Sequence, residues 1–143
     1  MSGLTLTKDV LTDFGYTIRS EEIDLSGQNI SDIAIDAFED HVQLTKLNLS
    51  GNQIEFVPRG TFVLNAKLLE VTLANNRLRA FSAEVFSAGS GLESLDLSGN
   101  PLETFDVSIT ENLCLQNLNL DNTGVVSRVQ LKRVGRCLHA TWV

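Results

Sequence analysis

One short phrase built on alternating leucines returns five times along this chain of 143 residues. Its second copy reads Leu44-Thr-Lys-Leu47-Asn-Leu49-Ser-Gly-Asn52. The central leucine recurs as Leu25, Leu49, Leu73, Leu97 and Leu120, so the step along the sequence is 24 three times and then 23. A nearly fixed period of this size predicts stacked supersecondary units that bury one continuous core, which is the architecture of a solenoid.

The recurring positions have physical reasons. The alternation in Leu47-Asn-Leu49 predicts a short strand with one buried face. Beyond the turns, phenylalanine recurs at the same period, as Phe38, Phe62 and Phe86, whereas Thr110 stands where a fourth is expected. Asparagine follows three of the strands, as Asn52, Asn76 and Asn100. Because an amide side chain there can satisfy backbone groups of its own turn and the neighbouring turn, we predict that these asparagines form a structural ladder.

These copies resemble the leucine-rich repeat family, whose pattern is L-x-x-L-x-L-x-x-N/C-x-L. The repeat that carries the phenylalanines, with its period of 24, resembles those of Toll-like receptor ectodomains. The resemblance implies an α/β solenoid, with parallel strands on the concave face and short helical or irregular turns on the convex side. It implies no cofactor.

The chain divides into three predicted parts: a capping segment at residues 1–19, five repeats at 20–126, and a C-terminal segment at 127–143. In the first part, Thr7 caps a predicted helix over Lys8–Phe14. In the last part, Ser127 caps a predicted helix through about Val134. The strand pattern of the fifth repeat, advanced by a further step of 23, places Leu138, Thr141 and Val143 in the strand of a partial sixth repeat. That strand is either a minimal cap or the point at which a longer array is cut.

The compartment stays open at this stage. Residues 1–20 lack the apolar core of a signal peptide, which indicates a cytoplasmic protein as written. A truncated receptor ectodomain would instead be extracellular. Cys114 and Cys137 are separated by one repeat step of 23. This spacing allows a disulfide between neighbouring repeats or two free thiols at neighbouring positions.

The resemblance places the partner-binding site on the outward residues of the strands. These are Glu22, Asp24, Lys46, Asn48, Glu70, Thr72, Asp96, Asn117 and Asn119, with Trp142 at the corresponding place in the partial sixth repeat. The face is polar and acidic, which favours a basic or polar protein partner. The alternative is a solvated surface whose charges maintain solubility.

Composition argues against several other functions. The net charge is −7, and the basic residues cluster only after Asn122, so nucleic-acid binding is not expected. No run approaches the roughly 20 apolar residues that span a membrane. The sequence contains two histidines, His41 and His139, far apart in the chain, and lacks a glycine-rich phosphate loop or an HExxH or CxxC motif. We therefore expect no catalytic residues, no metal site and no enzyme activity.

The predicted function is non-catalytic protein–protein recognition through the concave face, as in a fragment of an innate immune receptor ectodomain. The alternative is an intracellular adaptor or structural protein. It would assemble through the solenoid ends, by self-association of the end strand, or present its C-terminus as a PDZ-type ligand.

Overall fold

The computed structural model describes residues 3–87 and 89–143. Met1 and Ser2 of the predicted capping segment, and Ala88 within the repeats, lie outside the described residues. In chain order the elements are β1 (Leu4–Leu6), α1 (Lys8–Asp13), β2 (Glu22–Asp24), β3 (Ile30–Ile33), β4 (Lys46–Asn48), β5 (Glu70–Thr72), a 3₁₀ helix (Ala83–Val85), β6 (Ser94–Asp96), α2 (Ile109–Asn112), β7 (Asn117–Asn119), β8 (Val129–Val134) and β9 (Cys137–Trp142).

A parallel sheet forms the spine of the solenoid, in the order β2-β4-β5-β6-β7. Its register follows the sequence period: Glu22 lies beside Lys46, Lys46 beside Glu70, and the pairing continues to Asn117. The middle residue of each strand points into the core, and those of the first four strands are buried. The leucine-rich repeat solenoid expected from the sequence is therefore confirmed, with few helices.

Stacked phenylalanines fill the side of the core opposite the sheet. The ring centroids of Phe38 and Phe62 are 5.4 Å apart, and those of Phe62 and Phe86 are 5.6 Å apart. Buried Thr110 takes the next position, and its Oγ1 accepts a hydrogen bond of 2.9 Å from the N–H of Ala140. The smaller side chain thus ends the column where the C-terminal segment crosses the core.

The side-chain amides of the three ladder asparagines link consecutive turns. Nδ2 of Asn76 donates to the carbonyl of Leu73 in its own repeat, at 2.9 Å, and to that of Leu49 in the preceding one, at 3.0 Å. Its Oδ1 accepts from the N–H of Ile54 at 3.0 Å. Asn52 and Asn100 repeat this pattern. The backbone groups where the chain leaves each strand are thereby satisfied inside the molecule.

The N-terminal end is covered by β1 and α1. Strand β1 pairs in parallel with β3. The predicted helix forms but ends at Asp13, and the Oγ1 of its N-cap Thr7 accepts the N–H of Val10 at 3.2 Å. Gly15 follows with φ of +93°, a conformation that favours glycine. Leu6 and Leu11 are fully buried, so this segment closes the apolar end of the first repeat.

The C-terminal prediction of a helix from Ser127 to Val134 is wrong. These residues enter β8, which pairs with β9 as an antiparallel hairpin. The two-residue loop Gly135-Arg136 joins them, and Gly135 has φ of +64°. Glycine at the first of two loop positions is a hairpin signature. It outweighed the helix-capping pattern that begins at Ser127.

The predicted sixth parallel strand is also wrong. The N–H of Leu138 does donate to the carbonyl of Leu115 at 2.8 Å, so the spacing expected from the repeat holds at that point. Beyond it β9 pairs with β8 instead of β7. Thr141 and Trp142 therefore lie in a paired strand, and the N–H of Val143 donates to the backbone carbonyl of Arg128. This contradicts the free extended tail that a PDZ-type ligand requires.

A disulfide joins Cys114 to Cys137, with a Cα–Cα distance of 4.7 Å. It decides between the two alternatives that the sequence left open. The bond ties the hairpin to the last full repeat, across a sequence separation of 23.

Candidate functional site

The outward face of the sheet is hollow. A groove of about 620 Å³ is lined by residues of β2, β4, β5 and β6, together with Tyr16. The outward side chains of the sheet form two rows that cross the strands; those of β2, β4, β5 and β6 line the groove, and those of β7 lie beside it. The first row is Glu22, Lys46, Glu70, Ser94 and Asn117, and the second row is Asp24, Asn48, Thr72, Asp96 and Asn119. The structure thus brings together every predicted site residue except Trp142.

The second row holds the turns that follow the strands. Oδ1 of Asp96 accepts hydrogen bonds from the N–H and hydroxyl of Ser98, at 2.9 and 2.6 Å. Asp24 binds Ser26 in the same way, and the remaining three residues each accept the N–H two positions further on. The N–H and hydroxyl of Ser26 hold the pKa of Asp24 below its usual value. These side chains therefore have a local structural role in addition to their place on the outward face of the sheet.

The first row carries the charges that are free of such bonds. Nζ of Lys46 lies between two carboxylates, 3.7 Å from Glu22 and 3.9 Å from Glu70. All three side chains are more than half exposed, so these ion pairs add little stability. With Asp24 and Asp96 the groove holds four carboxylates and one lysine, which leaves three net negative charges.

Tyr16 is a groove residue that the repeat pattern did not indicate. Its hydroxyl donates to the carbonyl of Asp24 at 2.9 Å and accepts the N–H of the same residue at 3.0 Å. The hydroxyl thereby satisfies both backbone groups at the outer edge of β2. No positional signal could have found it, because Tyr16 precedes the first repeat and has no counterpart in the later ones.

Trp142 was placed wrongly by the repeat register. It lies on β9 opposite Val129 and is not one of the residues that line the groove. The Cζ of Arg128 lies 5.8 Å from the centroid of its ring, a cation–π geometry. The residue is 46% exposed, and its place is the C-terminal hairpin.

The two histidines lie apart from the groove. His41 is buried beside Phe38, and this burial lowers the pKa of its imidazole. His139 lies exposed on β9 opposite Lys132. Across residues 3–87 and 89–143, no three His, Cys, Asp or Glu side chains are grouped so that they could hold a metal ion. Within the same residues, the helices are too short and too polar to cross a membrane.

The family model named Leucine rich repeat matches residues 21–78 and 66–125, which together are most of the chain. The chain belongs to the leucine-rich repeat family. The fold of this family is generally a scaffold for protein interaction and not for catalysis. No curated protein matches the chain.

Several solved structures share this fold. The leucine-rich repeat domain of APL1 is 24% identical with a TM-score of 0.72, and the match covers 83% of this chain and 31% of that one. A chain of the LRIM1/APL1C complex is 23% identical with a TM-score of 0.71, over 83% and 22%. A chain of the glycosylated Toll–Spatzle complex of Drosophila is 26% identical with a TM-score of 0.62, over 85% and 19%. The present chain thus spans less than a third of each.

Proposed function

We propose that this chain is a non-catalytic recognition module that binds a basic or polar protein segment in the groove. One observation carries the proposal: four carboxylates face the same hollow surface as a single lysine. Carboxylates arranged in this way attract a positively charged partner and orient it during encounter. Glu22 and Glu70 are the best candidates for direct contact with the partner, because their side chains make no hydrogen bond to the turns that follow the strands.

The structural neighbours support this class of function. LRIM1/APL1C and Toll–Spatzle are complexes between proteins, and the latter is described as a hub in development and innate immunity. We infer that the present chain acts in a similar receptor-type setting. The disulfide between Cys114 and Cys137 favours an oxidising, extracellular compartment. In this proposal residues 1–19 and 127–143 serve as caps for the five repeats at 20–126.

A selection from a library of random peptides tests the groove. The immobilised chain should enrich sequences rich in lysine and arginine. The double variant Glu22→Lys and Glu70→Lys should bind the selected peptides at least about tenfold more weakly, since like charges would then face each other. Asp36→Lys with Glu55→Lys is the matched control, because it makes the same change in net charge at exposed positions outside the strands. Equal losses in both variants, or no enrichment, would overturn the proposal.

A further inference from the structure

The C-terminal hairpin has one face on the core and one face in solvent. On the inner face Val129 packs against the core and Ala140 is buried. Along each strand, every second residue points to the opposite face. By the pairing register, the outward face consists of the exposed residues Gln130, Lys132, Val134, His139 and Thr141, together with half-buried Cys137, which is bonded to Cys114.

The hairpin carries positive charge that the described structure does not neutralise. Up to Asp121 the chain has 18 acidic and 7 basic residues, for a charge of −11, and the remainder adds four basic residues, which gives −7. Among the described residues, none of these four forms an ion pair, whereas Lys8, Lys46, Arg59 and Arg79 do.

Two of the four cations stabilise the hairpin itself. The guanidinium of Arg128 donates to the carbonyls of Glu103 and Gly124. That of Arg133 donates to the carbonyls of Gln116 and Arg136. The side chains of Lys132, on the outward face, and Arg136, in the loop, make no hydrogen bond within residues 3–87 and 89–143. These two are therefore available to a partner.

The hairpin is long enough to cross the groove. Each hairpin strand has six residues, so at about 3.3 Å per residue the hairpin is about 20 Å long. The groove is lined by four strands of the sheet, from β2 to β6. With about 4.8 Å between neighbours, the first and last of these strands are about 14 Å apart. A hairpin laid across the strands is therefore long enough to cover the first row from Glu22 to Ser94.

From this charge and shape we propose that the partner of the groove is a second copy of this chain, whose basic hairpin docks in it. The contact places Lys132 and Arg136 of one copy against the first row of the other, near Glu22 and Glu70. This inference rests on the groove being a binding surface, as proposed above. Each chain carries one hairpin and one groove, so the contact either closes a two-fold dimer or continues head to tail.

The association should be weak and specific in orientation. The exposed hairpin face holds few residues, so the interface falls in the small class typical of transient contacts. Two chains of charge −7 repel each other in most orientations. The approach of hairpin to groove is the one that brings opposite charges together. Salt should therefore weaken the association, because the Debye screening length falls from about 10 Å at 0.1 M salt to about 3 Å at 1 M.

Sedimentation velocity of the full chain, over concentrations up to about 1 mM, tests this contact. Wild type should associate at 0.1 M salt and dissociate at 1 M. The hairpin variant Lys132→Glu with Arg136→Glu and the groove variant Glu22→Lys with Glu70→Lys should each associate at least about tenfold more weakly. An equimolar mixture of the two variants should form a mixed complex, because the reversed charges again match. Arg77→Glu with Arg79→Glu, exposed residues outside the hairpin, is the control that should behave as wild type.

The outcomes separate this inference from the proposed function. A wild type that stays monomeric overturns the inference, while peptide binding by the groove would leave the proposed function standing. Association that persists in both charge variants, or a mixture that fails to form the mixed complex, also overturns it. Circular dichroism of each variant should match that of wild type, since all four positions are exposed.

Discussion

The asparagine ladder should make a large and measurable contribution to stability, and Asn76→Ala tests it in the middle of the solenoid. Asn76 is buried, with 6% of its surface exposed. Removing its side chain takes a longer hydrogen bond of 3.3 Å from the carbonyl of Ala74, and a shorter one from each of two carbonyls, those of Leu49 and Leu73. Both carbonyls keep a second donor, from Asn52 and Asn100 respectively. The N–H of Ile54, in contrast, loses the amide oxygen that it binds.

These lost hydrogen bonds determine how far the free energy of unfolding should fall. The two shorter hydrogen bonds at about 0.5–1.5 kcal/mol each, with one orphaned buried donor at about 1–3 kcal/mol, give about 2–6 kcal/mol. This is a large fraction of the roughly 5–15 kcal/mol that stabilises a typical domain. Urea unfolding followed by circular dichroism should show a lower midpoint. Asn117→Ala, at an exposed position of β7, should change stability by less than about 0.5 kcal/mol. A loss below about 1 kcal/mol for Asn76→Ala would show that the ladder hydrogen bonds add little net stability.

Three further predictions concern single features of the core and the cap. Burial lowers the pKa of His41 below its ordinary value of 6.5, so the unfolded chain binds a proton that the folded chain resists. Stability should therefore fall as the pH drops below about 6.5, and His41→Leu should reduce this slope in urea midpoints measured at several pH values. Replacing Cys114 and Cys137 by serine should cost about 3 kcal/mol, because the disulfide closes a loop with a sequence separation of 23. Thr110→Val removes the acceptor of the buried Ala140 N–H and should cost about 1–3 kcal/mol, with a change in tryptophan fluorescence as the hairpin loosens.

Each of these three predictions would be contradicted by a particular result. An unchanged pH slope in His41→Leu would show that this imidazole is not what resists protonation. Equal stability with and without reductant would show that the disulfide does not constrain the chain. If Thr110→Val matched wild type in both stability and fluorescence, the hairpin would be held without that hydrogen bond.

The repeat architecture could be predicted because one short-range pattern specifies it five times. The register that pairs Glu22 with Lys46 and Lys46 with Glu70 follows directly from the sequence period. The hairpin could not be obtained in this way, because extrapolating the period assumes that the next unit is another repeat. The alternation of Val129 and Leu131 and the Gly135-Arg136 loop were the signals for it, and they compete with a plausible helix cap.

The groove shows a second limit of sequence reasoning. The period locates both rows of side chains, but it does not separate those that close turns, such as Asp96, from those that are free, such as Glu70. That distinction depends on which neighbour each oxygen binds. The role of Tyr16 depends on how the N-terminal segment folds back onto β2, which no repeat specifies.

The most direct test of the proposed function is nuclear magnetic resonance titration of the chain with a short lysine-rich peptide. If the peptide binds in the groove, the amide shifts should concentrate on β2, β4, β5 and β6, around Lys46 and Glu70, and diminish in high salt. Shifts confined to the opposite side, around Phe62 and Glu84, or to the C-terminal hairpin would contradict the groove as the binding surface.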